Sequence, residues 1–97
     1  MNLMYGAHWN EREVVPRETA RKMVERVAEK HGLGAKALFV RSTRRAIVYP
    51  RQQAMYAIRQ RLGWSYPRIA RLFGMDHTTV IYGVRQYEKR MEGAADG

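Results

Sequence analysis

Apolar positions recur with a helical period along most of the chain. Ala20, Met23, Val24, Val27 and Ala28 fall three to four residues apart, while Glu18, Lys22, Glu25, Arg26 and Glu29 take the other face. This predicts a first helix, with Pro16 in its first turn and Gly32 stopping it after His31. Leu33 to Val40 is a short apolar stretch with Leu38 and Phe39 as candidate core residues. Arg41-Ser42-Thr43-Arg44-Arg45 follows without apolar period, which predicts a loop or a frayed helix end. Pro50 is expected to open the next helix, burying Ala54, Met55, Ile58 and Leu62, turning Gln52, Tyr56, Arg59 and Gln60 outward, and ending at Gly63. Ser65 is an N-cap candidate with Pro67 in the first turn of a short helix through Ile69, Ala70, Leu72 and Phe73. Gly74-Met75 breaks it. Asp76 then caps a final helix with Val80, Ile81, Val84, Tyr87 and Met91 on its core side.

No segment alternates as a strand would, and no repeat is present. The pattern predicts an all-α fold, a small bundle of four to five helices, with residues 1–15 as an arm, 16–92 as the helical domain and 93–97 as a flexible tail. Within it, a short helix, a tight break and a longer helix have the proportions of a helix-turn-helix. In such a motif the second helix enters the major groove with its N-terminal residues leading, and the first crosses the phosphate backbone. Thr78, Tyr82, Arg85, Gln86 and Lys89 fall opposite the apolar stripe of the final helix and form a donor-rich face. His77 falls nearer the stripe than Thr78, which leaves open a partly buried histidine beside one projecting past the helix end.

Composition sharpens this. The 97 residues carry 18 Lys/Arg against 9 Asp/Glu, a net charge of +9, yet 45% are apolar, too many for a disordered polycation. The charge is segregated. Residues 40–90 hold eleven basic side chains, ten of them arginine, against only Asp76 and Glu88. Arginine's planar fork matches phosphate and guanine edges, so the expected partner is nucleic acid. The absence of cysteine excludes disulfides, thiolate metal sites and thiol catalysis. Three histidines make a metal site improbable, and no nucleophile–base pair, carboxylate pair or glycine-rich phosphate loop marks an enzyme. No cofactor or nucleotide is expected. The apolar stretch Met1 to Trp9 lacks a basic leader and is not read as a signal peptide; with no apolar run of about 20 residues, a cytoplasmic, nucleoid-associated location is expected.

Three runs carry a resemblance: Pro50-Arg51-Gln52-Gln53-Ala54-Met55-Tyr56, Ser65-Tyr66-Pro67-Arg68-Ile69-Ala70, and Phe73-Gly74-Met75-Asp76-His77-Thr78-Thr79-Val80. Together, over about residues 17–91, the sequence resembles the C-terminal DNA-binding domain of the bacterial replication initiator DnaA. The resemblance implies a fold of the TrpR/DnaA C-terminal type and a double-stranded DNA partner, bound as one copy per short asymmetric site, the DnaA box. It also implies base contacts from Asp76, His77, Thr78, Tyr66 and Pro67, and phosphate contacts from Arg51, Gln52, Arg59 and Thr79. Arg68 and Arg85 complete the candidate phosphate set. The family places an arginine from the basic loop in the minor groove; the aligned position here is Thr43, so Arg41, Arg44 and Arg45 are the candidates. The family's usual Gly-Gly-Arg before Asp-His is here Gly74-Met75, one residue shorter and without the arginine.

The chain holds no Gly-x4-Gly-Lys-Ser/Thr loop. The expected function is therefore sequence-specific duplex binding as a transcription regulator or replication accessory factor, from a bacterium or phage, rather than ATP-driven origin melting. Two alternatives remain: an RNA-binding protein, and a protein-interaction module in which Met1, Leu3, Met4, Tyr5 and Trp9 of the arm anchor a partner.

Overall fold

A computed structural model describes residues 17–96, with side chains over 19–94; the arm 1–15, Pro16 and Gly97 lie outside the described residues. Five helices and their connections make up the whole of it: α1 (Arg17–Lys30), α2 (Ala35–Phe39), α3 (Arg45–Leu62), α4 (Tyr66–Phe73) and α5 (His77–Asp96). The fold is all-α, and α3 is its axis, packed against each of the other four helices. No described helix is long and apolar enough to cross a membrane.

The core follows the apolar periods. Ala20, Met23, Val24, Val27 and Ala28 of α1 are buried, as are Ala54, Met55 and Ile58 of α3, Ile69, Ala70, Leu72 and Phe73 of α4, and Val80 and Val84 of α5. Each of the larger aliphatic side chains removed from water contributes about 1.5–3 kcal/mol. Leu38 is buried, while Phe39 packs from the edge, its ring 5.2 Å from that of Phe73. The segment 33–40 thus forms a one-turn helix plugging one end of the bundle. At Gly32 the backbone turns left-handed (φ 71°), and Leu33 N–H reaches back to the Ala28 carbonyl at 2.8 Å, closing α1 at the expected place.

Helix α3 departs from expectation. It begins five residues before Pro50, with Arg44 as its extended N-cap residue and the Arg44 carbonyl accepting from Ile47 and Val48 at 2.9 and 2.8 Å. Pro50 is inside the helix and buried. Its missing N–H removes a single ladder bond, a cost offset by the burial of Pro50, Arg51 and Gln52 on the packed side of the helix. The basic run is therefore loop through Arg44, with Arg45 already helical. On α3, Gln52 is buried rather than outward-facing, and Tyr56 is half-buried with its ring 4.9 Å from Tyr87. Both changes follow from α5, which covers a second face of α3 that a one-stripe reading leaves to solvent. Met91, expected inside, is 51% exposed, and α5 continues through the small residues of the expected tail to Asp96. Beyond Arg90, α5 has run past the end of α3's packing surface.

The two helices approach closely at Gly83. A Cβ built there would stand 3.2 Å from Gln52 Cγ and 3.3 Å from Met55 Sδ. Gln52 has little freedom to yield, because Arg90 Nη1 donates to its Oε1 at 2.7 Å while stacking 3.8 Å over Tyr49. Gly83→Val should overpack this crossing and lower the unfolding free energy by roughly 1–3 kcal/mol. Urea denaturation checks it; an unchanged midpoint would show that the crossing has slack.

Candidate nucleic-acid interface

Helices α4 and α5 are set by their ends. Ser65 Oγ accepts from Arg68 N–H at 3.3 Å, the cap its position predicts, with Pro67 in the first turn. At the far end Gly74 is left-handed (φ 64°), its N–H reaching Arg71 O, while Met75 N–H donates to Ala70 O at 2.9 Å. The Asp76 carbonyl then accepts from Thr79 and Val80 at 3.0 and 3.3 Å, starting α5. A short connection closed at both sides gives the turn between the helices little freedom.

That turn leaves Asp76, His77, Thr78 and Thr79 all exposed at the head of α5. The side chain of His77 is 55% accessible and that of Asp76 66%, so the partly buried alternative for His77 does not hold. Its direction along the wheel is overridden by its place in the first turn, where no preceding turn covers it. Thr78 Oγ1 donates to Asp76 Oδ2, and His77 Nδ1 stands 3.7 Å from Asp76 Oδ1. The Thr78 hydroxyl is the main reason the Asp76 carboxyl is held below the ordinary aspartate range. Desolvation acts against it, and the His77 ring and the Thr78 and His77 amides add to it.

The basic loop lies beside this head. Arg41, Ser42, Thr43, Arg44, Arg51, Met75, Asp76 and Thr79 line one open cleft of about 610 Å³. Arg51 does not present its charge there freely. It is 7% exposed, and its Nη1 and Nη2 donate to the Val40 and Ser42 carbonyls at 2.8 and 3.0 Å. Burial lowers its pKa from the ordinary arginine value. The fork ties the loop to α3; Arg41, Arg44 and Arg45 are all exposed, and of the three Arg41 and Arg44 line the cleft. Further along α5, Thr78, Ile81, Tyr82, Arg85, Gln86 and Lys89 line a second groove of about 330 Å³.

The remaining candidates are distributed unevenly. Pro67 is exposed at the start of α4, whereas Tyr66 is half-buried beneath Arg59, whose guanidinium carbon lies 4.3 Å from the ring centre. Arg59 Nη1 also donates to the Trp64 carbonyl at 2.8 Å. Arg68 lies 4.0 Å over the Trp64 ring. Trp64 had no signal in the sequence, sitting alone between two helices, yet it is buried, its ring stacking under Arg68 and its backbone carbonyl holding Arg59. Its indole N–H has no hydrogen-bond partner among the described residues, so packing and the cation–π contact hold it. Gln52 is occupied by Arg90. Among the described residues no group of three or more His, Cys, Asp or Glu is placed to hold a metal.

The Asp76 geometry is testable by titration. A depressed carboxyl pKa contributes stability above the unfolded-state value and loses it as pH falls through the folded-state value. Thr78→Val should return Asp76 toward ordinary aspartate titration. The chain has only two aspartates, Asp76 and Asp96, so carboxyl NMR resolves it. Unchanged titration in the variant would show that the hydroxyl does not hold the carboxylate.

Comparison with known proteins gives the same grouping. The profile of the family described as bacterial dnaA protein helix-turn-helix matches residues 20–86. The chromosomal replication initiator protein DnaA 1 of Chlamydia pneumoniae is 42% identical over 76 residues, which is 78% of this chain and 16% of that protein. DnaA 2 of Chlamydia caviae is 39% identical over 80 residues, 82% of this chain and 17% of its own length. DnaA of Thermus thermophilus is 39% identical over 72 residues, 73% and 16% of the two chains. The chain thus spans about a sixth of the length of these relatives. No solved structure matches it significantly. With its capped α4–turn–α5 unit inside the matched segment, the chain belongs to the DnaA helix-turn-helix family of DNA-binding domains.

Proposed function

We propose that the protein binds double-stranded DNA at a DnaA-box-like site, one copy per site, as a transcription regulator or replication accessory factor without catalytic activity of its own. The supporting observation is the shared cleft: Asp76 and Thr79 at the head of α5 and the arginine-bearing loop line the same concavity, with His77 and Thr78 exposed between them in sequence. A major groove and its neighbouring minor groove present their edges to a protein in that side-by-side way. On this reading Asp76, His77 and Thr78 meet base edges, where a carboxylate accepts from cytosine N4 and a threonine methyl packs on thymine. Pro67 flanks them. Thr79, Arg68 and Arg85 face phosphates, and Arg41, Arg44 or Arg45 enters the minor groove. Arg51, Gln52, Arg59 and Tyr66 act chiefly as supports, since their polar or aromatic groups are engaged within the fold.

Selection of bound duplexes from a random pool, at stated salt, tests the reading. It should return one asymmetric motif, with affinity falling steeply as salt rises because each neutralised phosphate releases counterions. Thr78→Ala should relax preference at one position by about 1–3 kcal/mol. A pool returned without enrichment would refute sequence-specific binding.

The role of Arg51 separates from that of a phosphate grip by Arg51→Lys. A lysine keeps the charge but cannot bridge two carbonyls. The variant should bind every duplex more weakly and show faster amide exchange over residues 40–44. Retention of wild-type affinity would return Arg51 to the role of a simple charge.

A further inference from the structure

The most exposed large apolar side chain among the described residues is on the DNA-facing side of α5. Tyr82 is 61% accessible. Its surroundings are mixed: the cations Arg85 and Lys89 flank it, with Ile81 in the groove on one side and Val48 and Met55 in the recess on the other. On one side it lines the groove with Thr78, Arg85 and Lys89; on the other it closes a recess of about 220 Å³ that includes Ser42, Thr43 and Thr79. An apolar protein partner would meet cations around this ring, whereas DNA would meet complementary charge. Tyr49, another exposed aromatic, differs in being covered by Arg90 at 3.8 Å. Nothing among the described residues covers Tyr82 in that way.

Tyr82 follows Thr78 by four residues, so both lie on one face of α5, separated by about 6 Å along the axis. That is one to two base-pair steps at about 3.4 Å each. As α5 rises out of a groove entered head-first, a side chain longer than threonine is needed to keep contact with the base edges. The apolar feature of the major groove is the thymine C5-methyl group. We infer that Tyr82 is a second specificity-determining residue, its ring packing on a thymine methyl one to two base pairs beyond the position read by Thr78. This inference rests on the proposed duplex binding through α5.

The experiment pairs a protein change with a change on the DNA. In the duplex selected by the wild-type protein, each thymine is replaced singly by deoxyuridine, which removes only the methyl. Wild type, Tyr82→Phe, Tyr82→Ala and Thr78→Ala are titrated against the series, with folding verified by circular dichroism and the Thr78 position fixed by the last variant. One thymine, adjacent to that position or one step further, should show about a fourfold loss on methyl removal, the size expected for one buried methyl. The loss should persist in Tyr82→Phe and vanish in Tyr82→Ala. The same penalty in Tyr82→Ala as in wild type, or no penalty at that position in wild type, overturns the inference while leaving the function intact. So does equal weakening of all duplexes by Tyr82→Ala without loss of the methyl effect, which would mark a backbone contact. A wild type that selects no site overturns the parent reading and this inference together.

Discussion

The arrangement of the interface depends on a buried guanidinium. Arg51 sits one residue after an intrahelical proline, almost without solvent, and two of its nitrogens donate to backbone carbonyls of the loop. A charge withdrawn from solvent carries a cost, which the two carbonyl acceptors offset. The consequence is geometric. Residues 40–42 are held to the helix that also carries α5, so the position of the basic loop relative to the α5 head is set by α3 rather than by the loop's own stiffness. Without that tie, Arg41 and Arg44 would be charges on a wandering segment, contributing attraction without register.

The same logic runs through the other arginines. Arg59, Arg68 and Arg90 are half-buried and lie over Tyr66, Trp64 and Tyr49, at 4.3, 4.0 and 3.8 Å. Their charges remain in the field of the basic half, since stacking on a ring does not neutralise a cation. Their positions, however, are fixed by aromatic faces and backbone acceptors. Arg41, Arg44, Arg45, Arg61, Arg71, Arg85 and Lys89 are exposed. Charge count alone treats the eleven basic residues of 40–90 as one population. The fold divides them into those positioned against rings or carbonyls and those that stand exposed.

That division explains what the sequence could reveal. The helix-turn-helix was legible because its signals are local: a serine cap, two glycine-linked breaks and an apolar stripe in α5, each decided within one or two turns. The start of α3 was not, because proline's preference for a first turn is also local and was overruled by packing on distant elements. Gln52 and Tyr56 were misplaced for a related reason, since a helix that contacts four others has no single solvent face. Arg51's engagement is invisible in the sequence because its partners are carbonyls, which every residue carries. Trp64 illustrates the converse, a large ring in a short connection whose neighbours come from α3 and α4 and offer no periodicity.

In the proposed complex, Asp76 would give the surface its selectivity through its cost. It is the one acid at the head of α5, exposed, its pKa lowered chiefly by the Thr78 hydroxyl. A carboxylate at that point repels every phosphate that approaches, so on a purely electrostatic surface it would only weaken binding. In the proposed complex the repulsion is offset where a base-edge amine meets the carboxylate, and at other sequences it stays unbalanced. Discrimination then arises from a penalty built into an otherwise attractive face, in the manner of any recognition that works by rejecting the wrong partner. The arrangement requires that the cationic loop and the acidic tip be held in fixed relation, because a carboxylate free to swing aside would reject nothing. The paired hydrogen bonds from Arg51 to the loop and the glycine-closed turn before α5 supply that fixity from the two sides of one cleft.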